Sequence, residues 1–520
     1  MKVKLVSIEN GIAAFGFRRI ASMARKLNPD TEIYFLTAGN LYSLVTHLFP
    51  STQKKFTDRD LNAIAEELAK ADLLCFSSMS PSAPYVEKIA RAVKQKNPKI
   101  FIFWGGTHCI ISPEEAIKYA DAICTGEGEI PFEIFYKAFT ARKEYMTTPS
   151  MWFNKEKGII KNRNRQLCSS EELNSFPHMF YGLDCQIYDW KSKMFRSFTK
   201  NDYIEYNGLS YKTIWTIGCP FSCSYCANDA FLGLDKNYGR IRYTSVDYIL
   251  QEIEDAVKIY PFISTVLFYD DNFTSLPLDI LKVFSEEYKK RINLPFMVAG
   301  LHPNLITKEK IELLAEAGMN RGRMGIQSGN EKTLSIYNRN CTFNKIKESA
   351  EVLTEAAKKY KMIPPAFDII SDNPWETRDD VVQTLKFLYE LKRPYTLTIL
   401  SLRVFPNTKL WNYCSSHPSI DIRDQTSSYL ETRKSVANIL LYILATLKPP
   451  KTIFFWLLRY VRGYQDRQRL FPALYFMVKS THFAFRAVNH LRKLDFTTIV
   501  GPWGYYLWKS GFIKRSKIVT

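Results

Sequence analysis

The chain has 520 residues, ten cysteines and a formal net charge of +19. Its length predicts two or three domains, and 46% hydrophobic with 24% charged residues is typical of globular rather than disordered proteins. The apolar run at the amino terminus is too short for a secretory signal, so the cysteines are expected in a reducing cytoplasm. No stretch of about 18 uncharged apolar residues occurs, which argues against a membrane-spanning helix.

Short apolar runs alternate with amphipathic segments over residues 1–145. The predicted strands are residues 3–8, 32–37, 73–78, 99–104 and 122–125. The predicted helices are residues 12–27, 58–69, 84–95 and 113–119. This alternation predicts an α/β domain with a Rossmann-like, doubly wound parallel sheet that has helices on both faces.

Several of these strands end in loops of small residues. Ser77 and Ser78 close the third strand, and Gly105 and Gly106 follow the fourth. Loops at the carboxyl ends of parallel strands form the ligand crevice, and glycine lets a ligand approach the backbone closely. A glycine pair alone is a weak signal, so a domain that binds nothing is the alternative.

Residues 146–205 are less regular and are interpreted as a connector. Within them, residues 155–165 are highly charged and are predicted to form a loop.

A cluster of three cysteines follows the connector. Residues 217–227 read Ile-Gly-Cys-Pro-Phe-Ser-Cys-Ser-Tyr-Cys-Ala, so Cys219, Cys223 and Cys226 have the spacing C-x3-C-x2-C. A predicted strand over residues 213–217 leads into this loop. Thiolates bind iron–sulfur clusters, and three of them leave one iron of a four-iron cluster open. A zinc site normally takes four ligands, and a disulfide needs an oxidising compartment, so these alternatives and chance clustering are less favoured.

With an aromatic residue, Tyr225, before the last cysteine, this loop resembles the signature of the radical SAM enzymes. The resemblance implies that Cys219, Cys223 and Cys226 hold a catalytic 4Fe–4S cluster whose open iron binds S-adenosylmethionine. It implies that an electron from the cluster, supplied by a donor such as flavodoxin or ferredoxin, generates a 5′-deoxyadenosyl radical. It also implies that the backbone of Tyr225 lies near the adenine; simple packing of the ring is the alternative.

The glycine loops that precede this signature resemble the cobalamin-binding domain of one large radical SAM group. That resemblance implies that Ser77, Ser78, Gly105 and Gly106 embrace the nucleotide tail of cobalamin. The loop after the first strand, residues 9–16, lacks the histidine that ligates cobalt in the methionine-synthase type, as it does in many radical SAM relatives. A vestigial domain that no longer binds cobalamin is the alternative.

Six further strands alternate with helices over residues 206–410, which matches the partial (β/α)6 barrel of radical SAM enzymes. The predicted strands are residues 213–217, 265–269, 296–299, 323–327, 366–370 and 397–405. The predicted helices include residues 246–259, 278–290, 308–317, 343–359 and 379–391. Barrels of this kind place their chemistry at the carboxyl ends of the strands.

Polar residues follow the ends of these strands. They are Asp270, Asp271, Asn272, Gln327, Ser328, Asn373 and Glu376. The resemblance implies that the first three face S-adenosylmethionine and that the next two contact its ribose or carboxylate, although many relatives have glutamate in place of glutamine. It implies that the last two approach the substrate or the adenine. Helix capping and turn formation are the alternative for Asp271, Asn272 and Asn373.

Residues 411–520 form a basic, aromatic-rich region with 17 lysines and arginines against 5 acidic residues. Its apolar runs, such as residues 435–447, are too short to cross a bilayer, so a mainly helical domain is predicted. A helical cap on the barrel, or peripheral contact with the inner membrane face through basic and aromatic residues, are the two favoured interpretations. Nucleic acid is a less favoured partner, because no reading motif is found.

These features predict a cobalamin-dependent radical SAM enzyme. The resemblance implies methyl transfer to an unactivated centre of a small-molecule or lipid substrate, in which the radical abstracts a hydrogen and methylcobalamin delivers the methyl group. The first alternative is cyclisation or carbon–carbon coupling without methyl transfer. The alternative from another class is a non-catalytic iron–sulfur electron carrier or redox sensor. A cytoplasmic location is expected.

Overall fold

The computed structural model describes residues 1–37, 55–180, 182–418, 420, 430–464, 472–497, 501–516 and 518. These residues fall into two compact units, one ending at Asn207 and the other beginning at Gly208. Each unit contains its own large sheet.

The first unit is built on a nine-stranded sheet of order β7-β6-β5-β4-β3-β1-β2-β8-β9. Its strands are β1 Val3–Glu9, β2 Glu32–Thr37, β3 Leu73–Ser78, β4 Phe101–Gly105, β5 Ala122–Cys124, β6 Met151–Lys155, β7 Gly158–Lys161, β8 Gln186–Asp189 and β9 Met194–Ser197. The central strands β5-β4-β3-β1-β2 are parallel. They are almost continuously buried because helices cover both faces of a doubly wound sheet.

The helices of the first unit alternate with these strands. They are α1 Phe15–Leu27, α2 Asp58–Leu68, α3 Ala83–Lys96, α4 Thr107–Ile111, α5 Pro113–Ala116, α6 Glu129–Thr140, α7 Ser170–Ser175 and α8 Lys200–Asn207. Local sequence sets their starts: Thr57 and Asp60, for example, form a reciprocal capping box at the start of α2. The predicted Rossmann-like α/β arrangement is therefore confirmed, with element ends shifted by at most a few residues.

The prediction of an irregular segment over residues 146–205 is wrong. Two antiparallel hairpins extend the sheet there, β6-β7 beside β5 and β8-β9 beside β2. The charged stretch 155–165 contains β7, whose four residues are all exposed. An exposed edge strand needs no apolar alternation, so its sequence carries little strand signal.

The second unit contains a six-stranded, all-parallel sheet of order β10-β13-β14-β15-β16-β17. Its strands are β10 Ser210–Thr213, β13 Thr265–Phe268, β14 Phe296–Leu301, β15 Met319–Gln327, β16 Ala366–Ser371 and β17 Thr396–Ser401. A separate antiparallel pair consists of β11 Thr216–Ile217 and β12 Arg242–Tyr243. The six strands confirm the predicted partial barrel.

The first barrel strand is misplaced in the prediction. The expected strand over residues 213–217 divides into β10, which ends at Thr213, and β11, which pairs with β12 outside the barrel sheet. The prediction placed the strand at the apolar, β-prone residues next to the cysteine loop. It missed β10 because this strand is short and contains the polar residues Ser210 and Lys212.

The barrel helices lie between the strands. They are α9 Ala227–Leu234, α10 Val246–Ile259, α11 Leu278–Arg291, α12 Lys308–Ala317, α13 Glu331–Ile336, α14 Phe343–Lys359, α15 Arg378–Glu390 and α16 Lys409–Ser415. The predicted helical carboxyl-terminal region is confirmed by α17 Val436–Thr446, α18 Lys451–Leu457, α19 Pro472–Leu491 and α20 Gly501–Lys509. Within the described ranges, every helix is too short or too polar to traverse a bilayer.

Gly208 is the first residue of the second unit and lies just before β10, packed against the backbone of Thr497. Its φ is +61°, and a Cβ there would lie 1.3 Å from the carbonyl oxygen of Thr497. We expect Gly208→Ala to cost more than about 3 kcal/mol of unfolding free energy, because backbone must move and alanine disfavours this φ. The matched variant Gly233→Ala, in α9 with no atom within 4 Å of its Cβ, should be neutral or stabilising by about 1 kcal/mol. Scanning fluorimetry of both variants makes the comparison, and equal unfolding midpoints would contradict the packing described here.

Candidate active site

The three cysteines lie on the loop between β11 and α9. Gly218 starts the loop with a φ of +102°, and a Cβ there would lie 2.4 Å from the carbonyl oxygen of Arg240. The amide of Cys219 donates to the carbonyl of Tyr238 at 3.2 Å, and the amide of Cys226 donates to the carbonyl of Cys223 at 3.0 Å. The tight turn therefore requires glycine and brings all three thiols into one loop.

Residues 336–339, which follow α13, hold this loop from the side. The amide of Ser224 donates to the carbonyl of Tyr337 at 2.9 Å, and its hydroxyl donates to the carbonyl of Ile336 at 2.7 Å. The side-chain amide of Asn338 donates to the carbonyl of Ser222 at 2.8 Å. We call residues 336–339 the clasp.

Arg339, the last residue of the clasp, places a buried positive charge beside the cysteines. Its Nη1 donates to the Sγ of Cys223 at 3.6 Å and to the hydroxyl of Tyr225 at 2.9 Å. Its Nη2 donates to the carbonyl of Gly325 in β15. A guanidinium at this position lies next to the sulfur that would carry negative charge when it ligates a metal.

Burial acts on the thiols of Cys219 and Cys226. Together with the negative charge of Asp271, it raises the pKa of each thiol to about 12. Among the described residues no three His, Cys, Asp or Glu side chains converge on a point that suits a single metal ion. An iron–sulfur cluster needs no such convergence, because each thiolate binds a different iron, and binding would release the thiol protons.

Asp270, predicted to face the ligand, fixes the chain that leads to the cysteine loop through its Oδ1, while its buried Oδ2 has no partner among the described residues. Its Oδ1 accepts hydrogen bonds from the amides of Trp215 at 3.1 Å and Thr216 at 2.6 Å, and from the Thr216 hydroxyl at 2.7 Å. Burial raises the pKa of Asp270 to about 7 despite these bonds. Gly300, at the end of β14, packs against its carbonyl so closely that a Cβ would lie 2.0 Å away.

Asp271 and Asn272 stay close to the cysteine loop. Burial raises the pKa of Asp271, and a hydrogen bond with Asn228 opposes that shift. Asn272 is 1% exposed; its Oδ1 accepts from the Thr274 hydroxyl at 3.2 Å, and its Nδ2 has no partner among the described residues. A buried amide group without a partner is rare, so Asn272 is suited to receive a polar ligand.

Gln327 and Ser328, at the end of β15, differ in their hydrogen bonding. Gln327 has a φ of +73°, and its buried Oε1 lacks a partner within the described structure. The hydroxyl of Ser328 bonds Glu376 at 3.4 Å and Thr384 at 3.2 Å. Gln327 is therefore open to a ligand, whereas Ser328 is part of an internal network.

Asn373 and Glu376 also belong to internal networks. The Nδ2 of Asn373 donates to the carbonyl of Ile370 at 3.1 Å, and its Oδ1 accepts from the hydroxyl of Tyr337 in the clasp. Glu376 accepts from the hydroxyl of Thr333 at 2.7 Å, and burial raises its pKa to about 7. These two side chains connect the β16 loop with α13 and the clasp.

His302 is a further candidate that the sequence did not indicate. Its ring stacks on Phe221 of the cysteine loop, with 3.6 Å between ring centroids. Its Nδ1 accepts from the amide of Asn304 at 3.2 Å, so the Nε2 carries the proton, and that buried atom has no partner in the described part of the chain. Burial, helped by the charge of Arg339, lowers the pKa of His302 to about 3, so the ring is a neutral donor. The clasp was also missed, because the role of its residues depends on tertiary contacts with the cysteine loop.

In the first unit, the four residues expected to hold cobalamin lie together at the carboxyl ends of β3 and β4. Ser77 pairs with Gly105 in the sheet register, and the Ser78 hydroxyl accepts from the Trp104 indole at 3.1 Å. Gly106 has a φ of +95°, and a Cβ there would lie 2.7 Å from the carbonyl oxygen of Ser78. The two loops form a narrow cradle that only glycine allows, which fits the close approach of a large ligand.

Comparisons with known proteins support the assignment of both domains. Residues 213–388 match the family model of the radical SAM superfamily, and residues 1–135 match that of the B12 binding domain. The uncharacterized methyltransferase PH0819 of Pyrococcus horikoshii is 24% identical over 331 residues, a match that covers 62% of this chain. The match covers 65% of PH0819, slightly less than two thirds of its length.

Two solved structures share the fold. The radical S-adenosylmethionine methyltransferase TsrM of Kitasatospora setae has a TM-score of 0.61 at 14% identity, over 79% of this chain and 76% of its own. The cobalamin-dependent S-adenosylmethionine radical enzyme OxsB has a TM-score of 0.60 at 14% identity, over 99% of this chain and 82% of its own. The resemblance stated from the sequence is confirmed: the chain carries an amino-terminal B12-binding domain followed by a radical SAM domain.

Proposed function

We propose that this protein is a cobalamin-dependent radical SAM methyltransferase that acts on an unactivated carbon. The observation that carries the proposal is the three-cysteine loop, clasped beside a buried arginine in a barrel that follows a B12-binding domain. Two of the similar proteins, PH0819 and TsrM, are described as methyltransferases.

Cys219, Cys223 and Cys226 would hold a 4Fe–4S cluster, which supplies reductive cleavage of S-adenosylmethionine when bound. Arg339 places its positive charge beside Cys223 and holds the hydroxyl of Tyr225. The clasp and the Oδ1 of Asp270 keep the loop in place.

Polar atoms that lack partners indicate which side chains meet S-adenosylmethionine. Asn272, Gln327 and His302 each bury a polar atom without a partner among the described residues. Buried polar groups are normally satisfied, so a polar ligand would complete them. Asp271 lies in electrostatic reach of two of the cysteines. Ser328 and Asn373 act through the scaffold.

The cradle of Ser77, Ser78, Gly105 and Gly106 would hold cobalamin, which supplies the methyl-carrying cobalt when bound. Gly106 lets the β4 loop close on Ser78. His108 lies nearby with its ring stacked on Trp104 and its Nε2 unpartnered within the described ranges, so it offers one further polar contact.

Two alternatives follow from the same features. A radical SAM enzyme that forms a ring or a carbon–carbon bond would use the same cluster without methyl transfer, and OxsB is described only as a radical enzyme. An iron–sulfur electron carrier would need none of the unpartnered polar atoms near the cysteines. A small electron donor such as flavodoxin or ferredoxin and a cytoplasmic location belong to this proposal.

Cys223→Ala tests the catalytic assignment. Anaerobically reconstituted, reduced wild-type protein should cleave S-adenosylmethionine to 5′-deoxyadenosine, and the variant should lose at least about a hundredfold of this rate because the cluster loses a ligand. Cys341→Ser is the matched control, since Cys341 is a partly buried thiol outside the loop. Chromatography measures 5′-deoxyadenosine and S-adenosylhomocysteine together, in the presence of an extract of candidate substrates. Formation of both products supports methyl transfer, 5′-deoxyadenosine alone supports the ring-forming alternative, and neither supports the electron carrier.

Gly106→Ala tests the cobalamin cradle. The added methyl group would push the β4 loop away from Ser78, so we expect at least a tenfold loss of hydroxocobalamin binding. Lys88→Ala, at an exposed position of α3 in the same unit, is the control, because it leaves both loops of the cradle unchanged. Visible absorbance retained after desalting measures the bound cofactor, and circular dichroism verifies folding. Wild-type protein that retains no cobalamin would contradict the assignment.

The carboxyl-terminal region supports a finer proposal, peripheral contact with an anionic membrane. In α20, Trp503 is 74% exposed and Tyr506 68% exposed, and Phe512 just beyond it is 72% exposed. Lys509 lies on the same helix face as the first two, since it is three residues beyond Tyr506. Exposed aromatics beside basic residues suit the interface of a bilayer with anionic lipid.

Replacing Trp503, Tyr506 and Phe512 together by serine should weaken binding to phosphatidylglycerol vesicles at least tenfold, because each inserted aromatic contributes about 1.5 kcal/mol or more. Cosedimentation with phosphatidylglycerol and with phosphatidylcholine vesicles measures this. Val283→Ser with Met194→Ser removes exposed apolar side chains elsewhere and serves as the control. If wild type and triple variant sediment equally, the membrane proposal fails.

A further inference from the structure

One face of α19 carries a row of basic side chains. Lys479, His482, Arg486 and His490 recur at intervals of three or four residues, so they share one face of the helix. Lys479 is 2% exposed and His482 is 1% exposed. This row is called the basic stripe.

The carboxyl-terminal half of the basic stripe, Arg486 and His490, faces β15 of the barrel sheet, whereas the ring of His482 lies against Tyr442 of α17. The Nη1 of Arg321 lies 2.9 Å from the Nε2 of His490, and Arg321 and Arg323 both act on the charge of Arg486. A Cβ on Gly322 would contact Leu353 of α14, so the even-numbered residues of β15 face the outer helices. Arg321 and Arg323 therefore share the opposite, inner face with Gly325. The Nε2 of Gln327 also lies on that face, because it is the nearest atom to a Cβ built on Gly325.

The carboxylates in this region do not balance the cations. Asp368 accepts from Arg323 at 2.7 Å, and Asp495 lies 4.0 Å from Arg321 and 3.1 Å from His490. Lys479 and Arg486 form no ion pair with any residue that the structure describes. Glu431 acts on Lys479 only through space.

Unpaired buried cations are costly, and proteins normally pair or neutralise them. Burial lowers the pKa of Lys479 to about 8 and, together with Arg321 and Arg323, lowers the pKa of Arg486 to about 10. The Nδ1 of His482, between these two cations along the helix, is buried and has no partner in the described ranges. An anion at this position would satisfy all three side chains at once.

We propose that Lys479, His482 and Arg486 bind an anionic oxygen group, a phosphate or carboxylate, of the methyltransferase substrate. This inference rests on the proposed function and names its substrate class. An apolar cluster of Leu267, Met297 and Ala299 lies between the stripe and the strand ends on the same inner face, with Arg321 bonded to the Met297 sulfur at 2.7 Å. The substrate is therefore an amphipathic anion whose apolar portion extends toward the cysteine loop.

Titration of full-length protein with three probes tests the inference by calorimetry without S-adenosylmethionine or reductant. The probes are inorganic phosphate, dihexanoyl phosphatidic acid and hexanoate. Wild type should bind one phosphate-bearing probe saturably, and the lipid phosphate should bind more tightly than free phosphate because the apolar cluster adds contacts. Tighter hexanoate than phosphate binding would assign the site to carboxylates.

Arg486→Gln should weaken the bound probe at least tenfold, while Arg492→Gln, which removes an exposed arginine from the segment directly after the same helix, should bind as wild type does. Without any anion, Arg486→Gln should unfold at a higher temperature than wild type, because like charges no longer face each other. Lys479→Met provides a second variant if Arg486→Gln fails to fold. Equal affinity of stripe and control variants, or no saturable binding, overturns the inference. Because no cofactor enters the assay, protein that cleaves S-adenosylmethionine but binds no anion would overturn this inference alone.

Discussion

The structure around the cysteines depends on one constraint: a short glycine-started loop must present three thiols while being held from two sides. The clasp bonds the loop through Ser222 and Ser224, and Asp270 bonds the backbone that leads into it. Both restraints come from residues distant in sequence, so the loop geometry exists only after the barrel has closed. A loop fixed in this way can bind a cluster without having to reorganise.

The same constraint divides the polar residues at the strand ends into two groups. Ser328, Asn373 and Glu376 use their hydrogen bonds on α13, on the clasp or on each other, and Asp270 uses its Oδ1 on the chain that leads into the loop. Asn272, Gln327 and His302 keep a buried polar atom without a partner among the described residues, and Asp270 does so at its Oδ2. Asp270 is thus a positioning residue, because its Oδ1 accepts three hydrogen bonds from Trp215 and Thr216. Proximity to the strand end alone does not distinguish these two groups.

Much of the fold follows from local sequence. The central strands of the first sheet are mostly apolar and buried on both faces, which gives them a strong signal: β2 and β3 were predicted to the residue. Exposed β7 and the short, polar β10 were missed because neither has an apolar pattern. The spacing of the three cysteines is local and could be recognised. Arg339 and His302 could not, because their roles arise from contacts with Cys223 and Phe221 that no local pattern encodes.

Net charge is a second property from which the sequence alone could not predict the structure. The excess of basic residues after residue 410 suggested either a helical cap with solvated basic faces or a lipid-facing region. In the structure these residues differ in exposure: Lys509 is exposed on the helix that carries Trp503 and Tyr506, whereas Lys479 is buried. A cation on the surface costs little because water solvates it, but a buried one must be compensated by a partner. Exposed and buried basic residues therefore differ in what they need: the exposed ones are solvated by water, and the buried ones require a partner. Amino-acid composition does not record burial, so it cannot distinguish them.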